Sequence, residues 1–255
     1  MKMSTKKDKR NKNPKKQYDI VYGVHSIIEL LKAKRRRLVS IYTTKPAPKV
    51  WHRIEKYLPK SIANIQYVPR HVLNRMASTS DHMGIVGLVS PFPYSKKMFD
   101  PNKKPFVLLL DSIQDVMNLG AILRSTYCTG VDGVVLCKKE SAPLNAAAHK
   151  ASAGLVEHLD IYLAASTQEA VSELKKAGYN LYMAVLENGK DATTIDYKKP
   201  ACLVIGNEAV GISKLVQKQG QLITLPQRSA DISYNASVAS GILLFLISHN
   251  LSEKK

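Results

Sequence analysis

The chain has 255 residues, 45% of them apolar, which suits one large domain or two of ordinary size with a sizeable core. Lys and Arg total 38 against 20 Asp and Glu, a net +18 that favours acidic partners, with nucleic acid ahead of an anionic membrane surface. Three scattered cysteines exclude a disulfide framework and a Cys-rich zinc centre, so no metal is expected. No apolar run approaches the roughly 20 residues of a spanning helix, so no membrane is expected, and a Lys-rich start without an apolar signal stretch points to the cytoplasm.

Charge is unevenly distributed. Residues 1–100 hold 22 basic and 6 acidic residues, whereas 101–255 hold 16 and 14. Within the first segment, 1–17 carry 8 basic residues and almost no apolar ones, and are expected to form a disordered basic tail. That tail suits RNA contact, with a solubilising leader as the plainer reading. From Tyr18 onward the pattern is α/β. Ile27, Ile28, Leu30 and Leu31 predict a helix that runs into Lys34, Arg35, Arg36 and Arg37. Five cations in positions 32–37 exceed what a helix C-terminus requires, so a phosphate-facing patch is expected there. Strands follow at 38–43, 64–68 and 85–89, with helices at 51–57 and 71–77, giving a small RNA-binding domain over 18–90.

Residues 91–105 contain four prolines and no periodicity, and read as a linker that lets the first domain reposition. A second domain over 106–255 opens with the apolar run 106–110 ending in Asp111, the pattern of a strand buried on both faces. Helices are predicted at 119–129, 142–153, 167–177, 213–219 and 235–250. They alternate with strands at 133–137, 159–163, 180–186, 201–205 and 222–225. Such alternation specifies an open, mainly parallel α/β sheet.

The sequence lacks a P-loop, a G-x-G-x-x-G after the first strand, H-E-x-x-H, C-x-x-C and G-x-S-x-G, which removes the commonest nucleotide, metal and hydrolase sites. Three constellations remain, each at the C-terminal end of a predicted strand, where open α/β sheets bind ligands. The first runs from Asn118 to Arg124. Asn118 suits a helix N-cap, and Arg124 in the first turns of that helix would oppose the dipole unless an anion or an ion pair satisfies it. The second is Gly206-Asn207-Glu208-Ala209-Val210-Gly211, a tight turn where backbone can approach a ligand. The third, Ser233-Tyr234-Asn235-Ala236-Ser237-Val238-Ala239, leads into an apolar helix that its Ser and Asn could simply cap.

N-x-G-x-x-x-R, G-x-E-x-x-G and S-x-N-x-S-V-A, in this order, resemble the three motifs of the SpoU/TrmH ribose 2′-O-methyltransferases of the SPOUT superfamily. Leu110-Asp111 and Leu225-Pro226 match as well. Tyr22-Gly23-Val24-His25 and Lys150-Ala151-Ser152-Ala153-Gly154 resemble the subgroup that methylates a guanosine of large-subunit 23S ribosomal RNA. The resemblance implies a SPOUT domain with a mainly parallel sheet and a deep C-terminal trefoil knot. It also implies a ribosomal-protein-like N-terminal domain, a homodimer, and bound S-adenosyl-L-methionine. Catalysis would rest on Arg124, Asn118, Glu208, Ser233 and Asn235. Arg124 would act as an electrostatic clamp on the developing alkoxide, and Glu208 would hold Asn118 or Arg124. Main chain at Gly206, Leu225 and Tyr234 would take the cofactor. A transfer-RNA substrate and a non-catalytic RNA-binding or ribosome-assembly factor are the competing expectations.

Overall fold

The computed structural model describes residues 18–59, 64–228 and 233–253. The expected tail at 1–17 lies outside them. Strand β1 (Asp19–Tyr22), helix α1 (Val24–Ala33), β2 (Leu38–Thr43), α2 (Trp51–Glu55), β3 (Ile65–Tyr67), α3 (Arg70–Ala77) and β4 (Ile85–Val89) form the first unit. Its sheet has the order β1-β4-β2-β3. Helix α1 turns Val24, Ile27, Ile28 and Leu30 onto Val21, Ile41, Ile85 and Val89, the i, i+3, i+4 face that its sequence predicts. It ends where Lys34 takes a left-handed conformation (φ 55°) and its N–H bonds to the Leu30 carbonyl.

The second unit contains β5 (Phe106–Leu110), α4 (Val116–Cys128), β6 (Gly133–Cys137), α5 (Ala146–Ala151), β7 (Ile161–Ala164), α6 (Thr167–Lys176), β8 (Asn180–Ala184), β9 (Lys190–Asp191), β10 (Ala201–Ile205), α7 (Lys214–Gln217), β11 (Gln221–Thr224) and α8 (Ala236–Glu253). Its seven strands pair in parallel throughout, in the order β7-β6-β5-β10-β8-β11-β9. Every residue of β5 is buried. Leu108 and Leu110 join the core on one face, Val107 and Leu109 that on the other, so the apolar run is explained by helices covering both sides. Leu110 stands beside Ile205 in the β5–β10 register, so the loops that begin at Asp111 and Gly206 leave the sheet side by side.

Two helix starts move and one short strand is added. Helix α4 starts at Val116, capped by Asp115, whose carboxylate accepts the N–H groups of Met117 and Asn118 at 2.6 and 3.1 Å. Asn118 is therefore inside the first turn and not its cap, and Arg124 is in the third turn. Helix α5 starts only at Ala146, because Asn145 caps it and Pro143 precedes it. The short β9 has too little sequence to announce itself.

Segment 91–105 is laid against the second unit rather than hanging free. Phe92 and Phe99 are buried in its two cores, and the Ser95 N–H donates to the Ile161 carbonyl at 2.7 Å. The basic run after α1 also departs from expectation. The Arg36 side chain is fully buried, ion-paired to Asp19 and to Glu157 of the second unit. Arg35 pairs with Asp160 at 2.8 Å and donates to the Leu159 carbonyl. Both arginines therefore join the units. Arg36 is withdrawn from any phosphate-facing patch, because a buried charge needs a fixed countercharge, and the part-buried Arg35 is committed to Asp160. Lys34 and Arg37 remain exposed.

The two short motifs outside the three constellations meet at the same junction. Gly154 (φ 82°) lies against Ser26 and the His25 carbonyl, so close that a Cβ there would fall 2.7 Å from Ser26 Cα. The Lys150 side chain runs along Gly23 and reaches Asp81.

Candidate active site

Four loops converge at the C-terminal end of the parallel sheet: those after β5, β8, β10 and β11, the last leading into α8. The latter three enclose a cleft of about 360 Å³ lined by Leu186, Gly206, Glu208, Leu225, Ser233 and Tyr234, among others. Five of the residues singled out from sequence thus share one cavity. Its floor is apolar, with Ile205, Ile223 and Leu243 lining it. Gly206 is required by close approach, since a Cβ there would collide with the backbone of Gly211 and Ile212. Asn207 shapes the same turn. Its Oδ1 accepts the N–H groups of Ala209 and Val210 at 2.9 and 3.1 Å, and its Nδ2 donates to the Ser112 carbonyl at 2.8 Å.

At the rim the three motifs are bonded into one chain. The Glu208 carboxylate accepts the backbone N–H groups of Gln114 and Asp115 at 3.1 and 3.2 Å, and Asn118 Nδ2 at 3.2 Å. Asn118 Oδ1 in turn accepts from Asn235 Nδ2 at 3.1 Å. The Asn235 Oδ1 accepts from the N–H and hydroxyl of Ser237 in the first turn of α8. Partial burial opposes ionisation of Glu208, but the backbone and Asn118 donors outweigh it and hold the carboxyl below its ordinary range. Glu208 is thus a fixed anion that orients Asn118.

Arg124 lies apart from this chain. Asn118 and Arg124 are six positions apart, which sets them about 120° apart around α4. Arg124 is exposed and has no ion pair or hydrogen bond among the described residues. Glu208 therefore holds Asn118 and not Arg124. Arg124 shares its helix face with Met117, which is 56% exposed, and beside α4 runs α8 with the exposed stripe Val238, Ile242 and Phe245.

Sequence reading missed Asp115 and Asn207. Asp115 sets the start of α4 and so the direction of Asn118. An acidic residue just before an apolar helical run is the signal that could have found it. Asn207 is visible inside the second motif, but its turn-forming role emerges only from the hydrogen bonds. Among the described residues no cluster of His, Cys, Asp or Glu could hold a metal ion. No helix there is long and apolar enough to cross a membrane.

Two family models cover most of the chain. One described as the SpoU rRNA Methylase family matches residues 105–245. The other, described as RNA 2′-O ribose methyltransferase substrate binding, matches residues 20–95. A Bacillus subtilis protein bearing a TrmH family tRNA/rRNA methyltransferase name is 32% identical over 90% of this chain and 94% of its own. The 23S rRNA (guanosine-2′-O-)-methyltransferase of Blochmanniella floridana is 29% identical over 89% and 93%. Among solved structures, the AdoMet-bound rRNA methyltransferase of Sinorhizobium meliloti superposes with a TM-score of 0.77 at 24% identity, covering 92% of this chain and 88% of that one, a likeness of fold.

Proposed function

The chain belongs to the SpoU rRNA methylase family, and on that premise we propose that it methylates the ribose 2′-hydroxyl of a guanosine in 23S ribosomal RNA. Membership makes it an RNA 2′-O-ribose methyltransferase. The observation that carries the reading is the Glu208–Asn118–Asn235 chain at the rim of the cleft, which joins all three motifs. The choice of ribosomal RNA is supported by the Blochmanniella relative and by the subgroup motifs at 22–25 and 150–154.

S-adenosyl-L-methionine supplies the methyl group when bound. The cleft suits it: turns at Gly206 and Leu225 present main chain beside apolar walls, and Tyr234 offers a half-exposed ring. Among this chain's residues, Glu208 and Asn235 orient Asn118, and Ser233 offers a hydroxyl to the ribose. A 2′-hydroxyl must lose its proton, here to solvent water, as the methyl arrives. A guanidinium offers no acceptor for that proton, so the role of Arg124 is to stabilise the developing alkoxide or the neighbouring phosphate.

Homodimerisation completes the reading. It is supported by the stripe Val238, Ile242 and Phe245 beside the Arg124 face of α4, an apolar surface that pairing would cover. Each Arg124 would then work at the interface. A C-terminal trefoil knot is part of the proposal, supported by β11 lying between β8 and β9 while 233–236 returns to the same cleft. We assign RNA capture to residues 1–90, with Lys34 and Arg37 as the exposed cations of the basic run, and chemistry to 106–255. A cytoplasmic location follows from a ribosomal RNA substrate.

The test is methyl transfer from labelled S-adenosylmethionine to purified ribosomal and transfer RNA, followed by nucleoside mapping. 2′-O-methylguanosine in 23S RNA is the expected product. Label confined to transfer RNA would redirect the substrate, and RNA binding without cofactor binding would favour a non-catalytic assembly factor.

A further inference from the structure

A second, larger cavity lies between the two units, away from the cleft just described. It measures about 660 Å³, within the roughly 300–1,000 Å³ of small-ligand sites. Tyr18, Ile20 and Tyr22 form one wall, and Leu144, Ala146 and His149 another. The end is closed by 76–79, where α3 stops. β1 is the edge strand of its sheet and pairs only with β4, so its alternate backbone groups on the outer side have no ladder partner.

His149 is the second observation. It is 2% exposed and lines the cavity. Nδ1 lies 3.2 Å from Glu157 Oε1, which occupies that side of the ring. The same Glu157 oxygen accepts from Arg36 at 2.9 Å, and the Phe92 ring packs edge-on to the imidazole. The imidazole is thus held at Nδ1, and Nε2, which no described residue hydrogen-bonds, is the ring atom left for a ligand.

We infer that this cavity receives one unpaired nucleotide of the substrate RNA, an inference that rests on the methyltransferase reading above. A nucleobase offers an aromatic face to Tyr18 and Tyr22 and a donor–acceptor edge to His149, the way single-stranded RNA is read. Arg75, exposed in the last turn of α3, is the nearby cation for a phosphate. A peptide strand adding to β1 would need the open length of that edge, but α5 packs across it. The position is also suited to the chemistry. Helix α5, which bears part of the cavity wall, lies directly on α4, which carries Asn118 and Arg124.

Two variants and a crosslink test the inference in the full-length protein. Ala77→Trp fills the cavity from the end of α3, and Tyr18→Ala removes a wall with little demand on folding. Each is expected to raise KM for the ribosomal RNA by about tenfold, the loss expected for one base stack, with kcat and S-adenosylmethionine affinity unchanged. RNA carrying 4-thiouridine, irradiated on the wild-type protein, is expected to crosslink within Tyr18–Tyr22 or Leu144–His149. Unchanged KM in both variants, or crosslinks only elsewhere, overturns the inference while active methylation keeps the functional reading intact. Absence of methylation on any RNA would instead sink the functional reading. The crosslink would then decide the cavity by itself.

Discussion

Asn118 and Glu208, 90 residues apart in sequence, meet at 3.2 Å, with the amide donating to the carboxylate. Since Asn118 Oδ1 also accepts from Asn235, this one amide must donate in one direction and accept in the other. An aspartate at 118 could still accept but would face Glu208 as a like charge. Asn118→Asp is therefore expected to lower methyl transfer by about 100-fold, the scale of a misplaced reacting group. Adding Glu208→Gln restores a donor and should recover part of that loss. A double variant no better than the single one, in a radiolabel assay, would show that the bond does not position Asn118.

Arg124 makes a contrasting prediction, because it touches neither the cleft wall nor the Asn118 chain. Arg124→Ala should reduce transfer by about 100- to 1,000-fold, as expected on losing an oxyanion-stabilising group. Calorimetry should find S-adenosylmethionine affinity unaltered. Retained turnover would remove Arg124 from the chemistry.

The basic run after α1 should divide in two. Arg36→Ala leaves the buried Glu157 without its guanidinium and is expected to cost about 3–5 kcal/mol in urea denaturation. Lys34→Ala and Arg37→Ala, both at exposed positions, should leave stability unchanged. Each should instead flatten the salt dependence of RNA binding, by roughly 0.7–0.9 in the log–log slope for every phosphate left without its cation. Equal destabilisation by all three would contradict the partition.

Glu157 gives the junction a pH dependence of known sign. Burial alone would raise its carboxyl pKa, but His149 and Arg36 outweigh that and lower it below the usual value. A depressed folded-state pKa contributes stability that is complete above the unfolded value of about 4.3 and is lost as pH falls through the lower folded value. The Glu157 contribution to the melting temperature of the wild type should thus stay constant between pH 7 and 5 and decline below about pH 4. Glu157→Gln should start lower at pH 7 and converge with the wild type in acid. Parallel curves over the whole range would show that Glu157 is not the group responsible.

Much of this architecture is legible in the sequence because the signals are local. The run 106–110 announces a doubly covered strand, the helical face of α1 declares itself through Ile27, Ile28 and Leu30, and Gly206 marks a turn at a strand end. Pairing across long separations leaves no such mark. Arg36 and Arg37 look alike in sequence, and only a partner 121 residues away makes the first of them structural. Asn118 has the chemistry of a cap, but Asp115, three residues earlier, has it too and takes the position. The prolines of 91–105 suggest slack, whereas Phe92 and Phe99 fasten the segment down.

Gly154 seated on Ser26, with Lys150 lying along Gly23, packs the two units directly against each other where they touch. On the proposed division of labour, the protein would then work as a gauge of fixed length. The distance from the surface proposed to grip RNA to the point of methyl transfer would be set by the fold. An RNA would be accepted when its own folding spans that length and delivers one hydroxyl at the far end. Selection of the target nucleotide would thereby rest on matching a shape as well as on reading letters, and an unfolded copy of the same RNA sequence would present every letter and still fall short of the mark.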